Sequence, residues 1–269
     1  MSENPLSHSD LLSMIGRSAQ KKQTLLDQEP GRYILRAINA GALLTLGTLI
    51  ALSIGQYFAS SSPALAKTLY SFMFAWGLVM IIFLNAELAT SNMMYMTVSV
   101  IDHKLSVSKA GKILLICTLS NLLGGIIFAF LFSQTGAFKG LPADHYLFSV
   151  VQGKLNKDLF QLFLEGILAN VLVNIAVVGQ ARIKNEAGKI IYILAIIFIF
   201  VFLGLEHVIA NFIYFPLALF TNPNALEGFT LVAVLIHWIT VWLGNFIGGG
   251  LLVGANLAWL NRTQTQYTD

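Results

Sequence analysis

Apolar residues run along this chain in long blocks, and the polar residues gather in the short gaps between them. A hydrocarbon core of about 30 Å is crossed by roughly 20 apolar residues in helical form. Six such blocks can be drawn, at about 33–58, 68–101, 112–133, 159–180, 190–220 and 229–259. As single straight helices the second would be roughly 51 Å long and the fifth roughly 46 Å. Both exceed one crossing, and each is interrupted by polar residues. The first interruption reads Asn85-Ala86-Glu87-Leu88-Ala89-Thr90-Ser91-Asn92, the second Gly204-Leu205-Glu206-His207-Val208-Ile209-Ala210-Asn211. The pattern therefore predicts two half-helices in each block, joined by irregular backbone that is buried in protein or lines a cavity. Paired interruptions of this kind point to a transport site near the membrane midplane.

The two interruptions are copies. Each places a glutamate five positions before an asparagine, 119 residues apart. Gly41-Ala42-Leu43-Leu44 in the first block answers Gly166-Ile167-Leu168-Ala169 in the fourth, and Asn121-Leu122-Leu123-Gly124-Gly125 in the third answers Asn245-Phe246-Ile247-Gly248-Gly249 in the sixth. Three spans per half is an odd number, so the halves, about 33–133 and 159–259, are expected to insert upside down relative to each other. The glycine runs are expected to let helices approach closely.

Composition agrees with an all-α polytopic membrane protein: 56% of residues are hydrophobic and only 11% charged. With six spans both termini share a side. Arg17, Lys21, Lys22, Arg32, Arg36, Lys104, Lys109, Lys112, Arg182, Lys184, Lys189 and Arg262 fall there, against Lys67, Lys139, Lys154 and Lys157 opposite. That asymmetry predicts cytoplasmic termini. The net charge of +3 follows from topology and gives no support to nucleic-acid binding. Residues 1–32 are expected to form a polar cytoplasmic segment without a cleavable leader, 33–260 the six-span transmembrane domain and 261–269 a cytoplasmic tail. Within the first segment Leu11, Leu12, Ile15 and Ala19 recur at helical spacing after a Ser9-Asp10 cap, predicting an amphipathic helix at the membrane interface. The single cysteine, Cys117, lies inside an apolar block and excludes an intrachain disulfide or a cysteine metal cage.

The stretch Glu87 to Asn92, Gly166-Ile167-Leu168-Ala169-Asn170, Leu205-Glu206-His207-Val208-Ile209-Ala210-Asn211, and Gly244-Asn245-Phe246-Ile247-Gly248-Gly249-Gly250-Leu251-Leu252-Val253-Gly254 together resemble the formate/nitrite transporter family over nearly the whole chain. The resemblance implies an aquaporin-like fold assembled as a homopentamer, one pore per subunit, moving small monovalent anions such as formate, nitrite, hydrosulfide, acetate or lactate. It also implies roles. His207 matches the central pore histidine, Thr90 the pore threonine, Lys154 the vestibule lysine and Asn170 the asparagine near the histidine. Phe74, Leu78, Leu88, Val173 and Phe200 match the apolar constrictions. Many formate channels carry phenylalanine before the pore threonine, where this chain has Ala89, so one constriction is expected to be looser.

The chemistry these residues allow is that of a weak acid and its proton. Moving a bare carboxylate into a low-dielectric medium has an idealised cost on the order of 20 kcal/mol. A dry ring of Phe and Leu stops formate as an anion and passes it as neutral acid, whose formation low dielectric favours. Lys154 would gather anions, while His207 and Thr90 would offer hydrogen bonds midway. Glu87 and Glu206 are expected to accept from the backbone N–H groups freed at the breaks, with Asn92 and Asn211 as caps. No cofactor or metal is expected. Glu206-His207 is similar to part of a metalloprotease motif, but His-Glu-x-x-His is absent. A neutral-solute channel of the aquaporin kind would share the repeat, yet neither break carries the Asn-Pro-Ala of such channels.

Overall fold

The computed structural model describes residues 7, 8 and 10–263. Ser9 of the expected cap lies outside them. Helix α1 runs from Asp10 to Gln28 and α2 from Pro30 to Ala59. Helices α3, Pro63–Phe74, and α4, Trp76–Phe83, continue almost as one apolar rod, and α5 spans Ala89–Ile101. Then come α6, Val107–Ser133, and the short α7, Tyr146–Leu155. Helices α8, Leu159–Arg182, α9, Glu186–Phe202, α10, Val208–Thr221, and α11, Leu231–Asn245, follow. The last helix widens to π geometry over Phe246–Ala255 before α12, Asn256–Leu260. A two-residue antiparallel ladder, β1 (Ser7–His8) on β2 (Arg262–Thr263), joins the two ends of the described chain. By length and composition five helical stretches among the described residues can cross a membrane, Pro30–Ala59, Pro63–Phe83, Val107–Ser133, Leu159–Arg182 and Leu231–Leu260, with α10 a shorter apolar helix.

Local sequence explains the boundaries. Proline stands at the first turn of α2 and α3, where its missing N–H is no loss. Side chains of Ser106, Asp158, Asn185 and Thr230 cap the starts of α6, α8, α9 and α11. The ends of α4 and α9 are built alike. Asn85 and Gly204 adopt positive φ, +52° and +72°, a conformation open chiefly to Gly and Asn. Ala86 N–H then bonds Ile81 C=O and Leu205 N–H bonds Phe200 C=O, while Asn85 and Gly204 bond Ile82 and Val201. This double reverse bond is the Schellman stop, and it satisfies carbonyls that would otherwise be orphaned in the core.

The apolar stripe of α1 packs on the protein itself. Leu12, Ile15 and Ala19 are fully buried, and α1 lies against α2, α5 and α6. The surface that would have lain among lipid headgroups is thus covered by the bundle, held further by ion pairs from Lys22 and Asp27.

Close helix crossings correct the register read from sequence. Gly124 on α6 faces the carbonyl of Ile38, and Gly248 faces the carbonyl of Ile167. The equivalent positions are therefore Ile38 and Ile167, one helical turn away from the Gly41–Gly166 match. Gly41 corresponds in space to Asn170. The sequence match failed because glycines mark close approach wherever it occurs, and both crossings contain several.

A Cβ at Gly124 or Gly248 would collide with a backbone oxygen, which cannot move aside as a side chain can. Gly124→Ala and Gly248→Ala should each cost about 1–3 kcal/mol by overpacking. Gly136→Ala, in open space, should be neutral. Thermal unfolding of the detergent-solubilised protein checks this.

Candidate functional site

Both helix breaks leave backbone donors that the core must satisfy. Asparagines from other helices do this. Asn121 Oδ1 accepts from Ala89 N–H at 2.9 Å, and its amide donates to Ala37 and Glu87 carbonyls at 2.7 and 2.8 Å. Asn245 Oδ1 accepts from Val208 N–H at 2.9 Å, and its amide donates to Gly166 and Glu206 carbonyls at 2.7 and 3.0 Å. The glutamates do not take the freed N–H groups as expected, because the nearer asparagine amides offer donor and acceptor together.

Instead each glutamate anchors a side-chain cluster. Glu87 Oε2 accepts from Lys22 Nζ at 2.5 Å and from Asn92 Nδ2 at 3.2 Å. Glu206 Oε2 accepts from Lys154 Nζ and Asn211 Nδ2, both at 2.9 Å, and Oε1 from Lys157 at 2.7 Å. Lys22 lies over the ring of Tyr95 at 5.1 Å, Lys154 over that of Tyr214 at 5.2 Å. The sets Lys22–Glu87–Asn92–Tyr95 and Lys154–Glu206–Asn211–Tyr214 thus repeat one arrangement. Asn92 and Asn211 donate to carboxylates rather than cap helix ends. Burial works against the charge on Lys22, but the Glu87 carboxylate outweighs it and its pKa is raised. Burial lowers that of Lys154, against the pull of Glu206, and the positive Lys157 beside it adds to the fall. Lys157 itself is raised despite burial, held by Glu206 and by Glu165.

Two cavities flank the centre. One, about 260 Å³, is lined by Phe74, Phe200, His207, Tyr214, Lys154 and Glu206, among others. The second, about 190 Å³, is lined by Leu78, Leu88, Ser91, Tyr95, Lys22 and Glu87, among others. Phe74 and Leu78, one turn apart, thus face different cavities. Phe200, on the first cavity, stands edge-on to both Phe74 and His207, with centroids 6.1 and 5.9 Å apart. These residues form an apolar neck.

Within the neck His207 Nε2 lies 2.8 Å from Thr90 Oγ1. Its Nδ1 accepts from Ala210 N–H at 3.3 Å, capping α10. An Nδ1 that accepts carries no proton, so the neutral ring has its hydrogen on Nε2 and donates it to Thr90. The Thr90 oxygen then acts as the acceptor, and its own O–H is not used by the histidine.

Asn170 is brought close but differently employed. Its amide donates to the carbonyls of Thr90 at 3.1 Å and Asn245 at 2.7 Å, fixing the backbone that carries the threonine. Asn174 also donates to Thr90 C=O, at 3.3 Å. Thr90, Asn170, Val173 and Ala89 are buried and line neither cavity. Ala89 meets Asn121 through its backbone. Sequence reasoning missed Lys22, Lys157, Tyr95, Tyr214 and the capping role of Asn121 and Asn245. The asparagines carried a signal, being polar residues at matched places in two apolar blocks. Lys22 carried none, because it sits among exposed basic residues of an amphipathic segment.

Two charged cavities beside an apolar, histidine-bearing neck inside apolar helices define a membrane transport protein. The chain belongs to the formate/nitrite transporter family, whose model matches residues 9–259. Among relatives, it is 29% identical to the uncharacterized transporter YwcJ of Bacillus subtilis, over 94% of this chain and 98% of that one. It is 28% identical to the nitrite transporter NirC of Escherichia coli, over 91% and 89%, and 30% identical to a probable formate transporter of Methanothermobacter thermautotrophicus, over 85% and 88%. Of solved structures, an FNT family ion channel superposes with a TM-score of 0.86 at 26% identity, covering 93% of this chain and 98% of that one. A pentameric formate channel with formate bound superposes at 0.72, also 26% identical, covering 85% and 96%.

Removing one member of a buried ion pair leaves a stranded charge. Lys22→Met should destabilise by about 3–5 kcal/mol, and adding Glu87→Gln should recover most of it. A double-mutant cycle on thermal unfolding reads both values.

Proposed function

We propose that the chain carries small monovalent anions of weak acids across a membrane together with a proton, with formate as the first substrate. The carrying observation is the contrast between charged vestibules and an apolar neck. A lysine on each side draws the anion in and replaces part of its hydration. At Phe74, Phe200, Leu78 and Leu88 the surroundings turn apolar, and the acid passes most easily after taking up a proton. His207 Nε2–H and the Thr90 hydroxyl then lie in its path as neutral hydrogen-bond partners. Because Nδ1 of His207 is held by the α10 cap, protonating the ring would break that bond, so the ring serves best as a fixed donor.

The membrane arrangement belongs to the same reading. Six spans are formed by α2, α3–α4 with α5, α6, α8, α9 with α10, and α11 through α12, with the second and fifth broken. The matched Schellman stops, asparagine brackets and lysine–glutamate sets support an aquaporin-like inverted repeat. Twelve basic residues against four support a cell-membrane location with both termini on the cytoplasmic side. Homopentameric assembly is proposed from the formate channel it superposes on. Nitrite is a second substrate candidate, favoured by the likeness to a nitrite transporter.

Acidifying the outside of proteoliposomes should speed formate uptake in step with the protonated fraction, on the order of tenfold per unit where that fraction limits the rate. Chloride, which takes no proton, should not be carried. Uptake that falls on acidification, or chloride flux equal to formate flux, overturns the reading. His207→Asn keeps an amide donor and should retain proton-coupled uptake.

A further inference from the structure

His237 on α11 is buried at 3% exposure and has no hydrogen-bond partner at either ring nitrogen. Its Nε2 lies 3.9 Å from Glu206 Oε2, too far for a hydrogen bond and near enough to form one after a small movement. The ring is braced edge-on against Phe215 at 4.9 Å. The oxygen it faces is the one that holds Lys154. A buried polar side chain with nothing to bind, beside a carboxylate with three partners, is an arrangement built for a second state.

We propose that His237 is the standby partner of Glu206, a positioning residue that takes over the carboxylate, with a proton from the outer medium, when Lys154 turns to an arriving anion. The inference rests on the transport reading above and assigns it a place where the proton is first held.

Charge balance supplies the reason. Lys154 and Lys157 offset Glu165 and Glu206, so the resting cluster is neutral with His237 uncharged. An anion on Lys154 adds one negative charge to a buried group and draws the lysine from Glu206, leaving that carboxylate under-paired. One proton on His237 cancels the added charge and gives Oε2 a new donor. The other titratable groups around the cluster are worse placed. Lys157 is already shared between Glu165, Glu206 and the Gly204 carbonyl. The hydroxyl of Tyr214 is paired with that of Tyr70. His207 would lose its bond to Ala210 N–H by accepting a proton at Nδ1. His237 alone of these can be protonated without breaking a hydrogen bond, since it makes none. When the acid leaves for the neck, the proton goes with it and Lys154 returns to Glu206.

The test compares formate uptake into proteoliposomes by wild type, His237→Asn and His237→Gln, as KM and Vmax at outer pH from about 5.5 to about 8. Neither amide can take up a proton, and the ratio of variant to wild type removes the effect of substrate protonation, which is common to both. We expect a KM raised about fivefold in the variants near pH 5.5 and close to wild type near pH 8, with Vmax within about twofold. A KM ratio that does not change with pH overturns the proposal. Should neither variant assemble, wild type decides: a KM independent of outer pH overturns it as well. A wild type that carries no weak acid overturns the transport reading, and that control is read before any variant is compared.

Discussion

A carboxylate placed where a helix breaks inside an apolar bundle must be met by a cation, and the architecture follows from how that cation is delivered. Glu87 and Glu206 are almost wholly out of water. Lys22 and Lys154, which answer them, come from α1 and α7, helices that precede a long apolar helix without joining it, and Lys157 follows from the link after α7. Each helix lies against the bundle and inserts one lysine beside a tyrosine ring, so the lysine closes the ion pair and also lines a cavity. Scaffold and vestibule are therefore the same interaction. Buried pairs of this sort add little stability over apolar packing, yet losing one member is costly. Such a pair fixes the position of its lysine more than it strengthens the fold.

Much of this was legible in the chain. The apolar blocks gave the long helices, and in the two excess-length blocks one helix ends at Phe83 or Phe202 and the next starts at Ala89 or Val208. His207, Lys154, Phe74, Leu78, Leu88 and Phe200 line one or other of the two cavities, and buried Thr90 is tied to them through His207. The misses have physical causes. Glycine spacing cannot fix the register between helices, because Gly41, Gly124 and Gly125 all mark close approach. Asn170 reads as a polar pore residue, whereas its amide donates to the backbone carbonyls of Thr90 and Asn245. Lys22 looks like any basic residue on an exposed helix face until the docking of α1 is known.

The pseudo-symmetry is closest in the scaffold and fails in the neck. Glutamate, asparagine, tyrosine and lysine recur in both halves, as do the positive-φ residue and the asparagine bracket. At the positions between them the halves diverge: Leu88 stands where the second half has His207, and Thr90 where it has Ile209. The two departures meet in a single hydrogen bond. A duplicated frame has thus been kept for support, and the residues that differ between the copies meet where the copies face each other.

The ladder between Ser7–His8 and Arg262–Thr263 has a separate outcome for how the polypeptide is threaded. Since Ser7 and Thr263 are directly paired, a short linker would close the backbone into a ring without disturbing either half. New ends could then be opened in the exposed connection around Gly136, giving a circular permutant whose two halves are read out in reverse order.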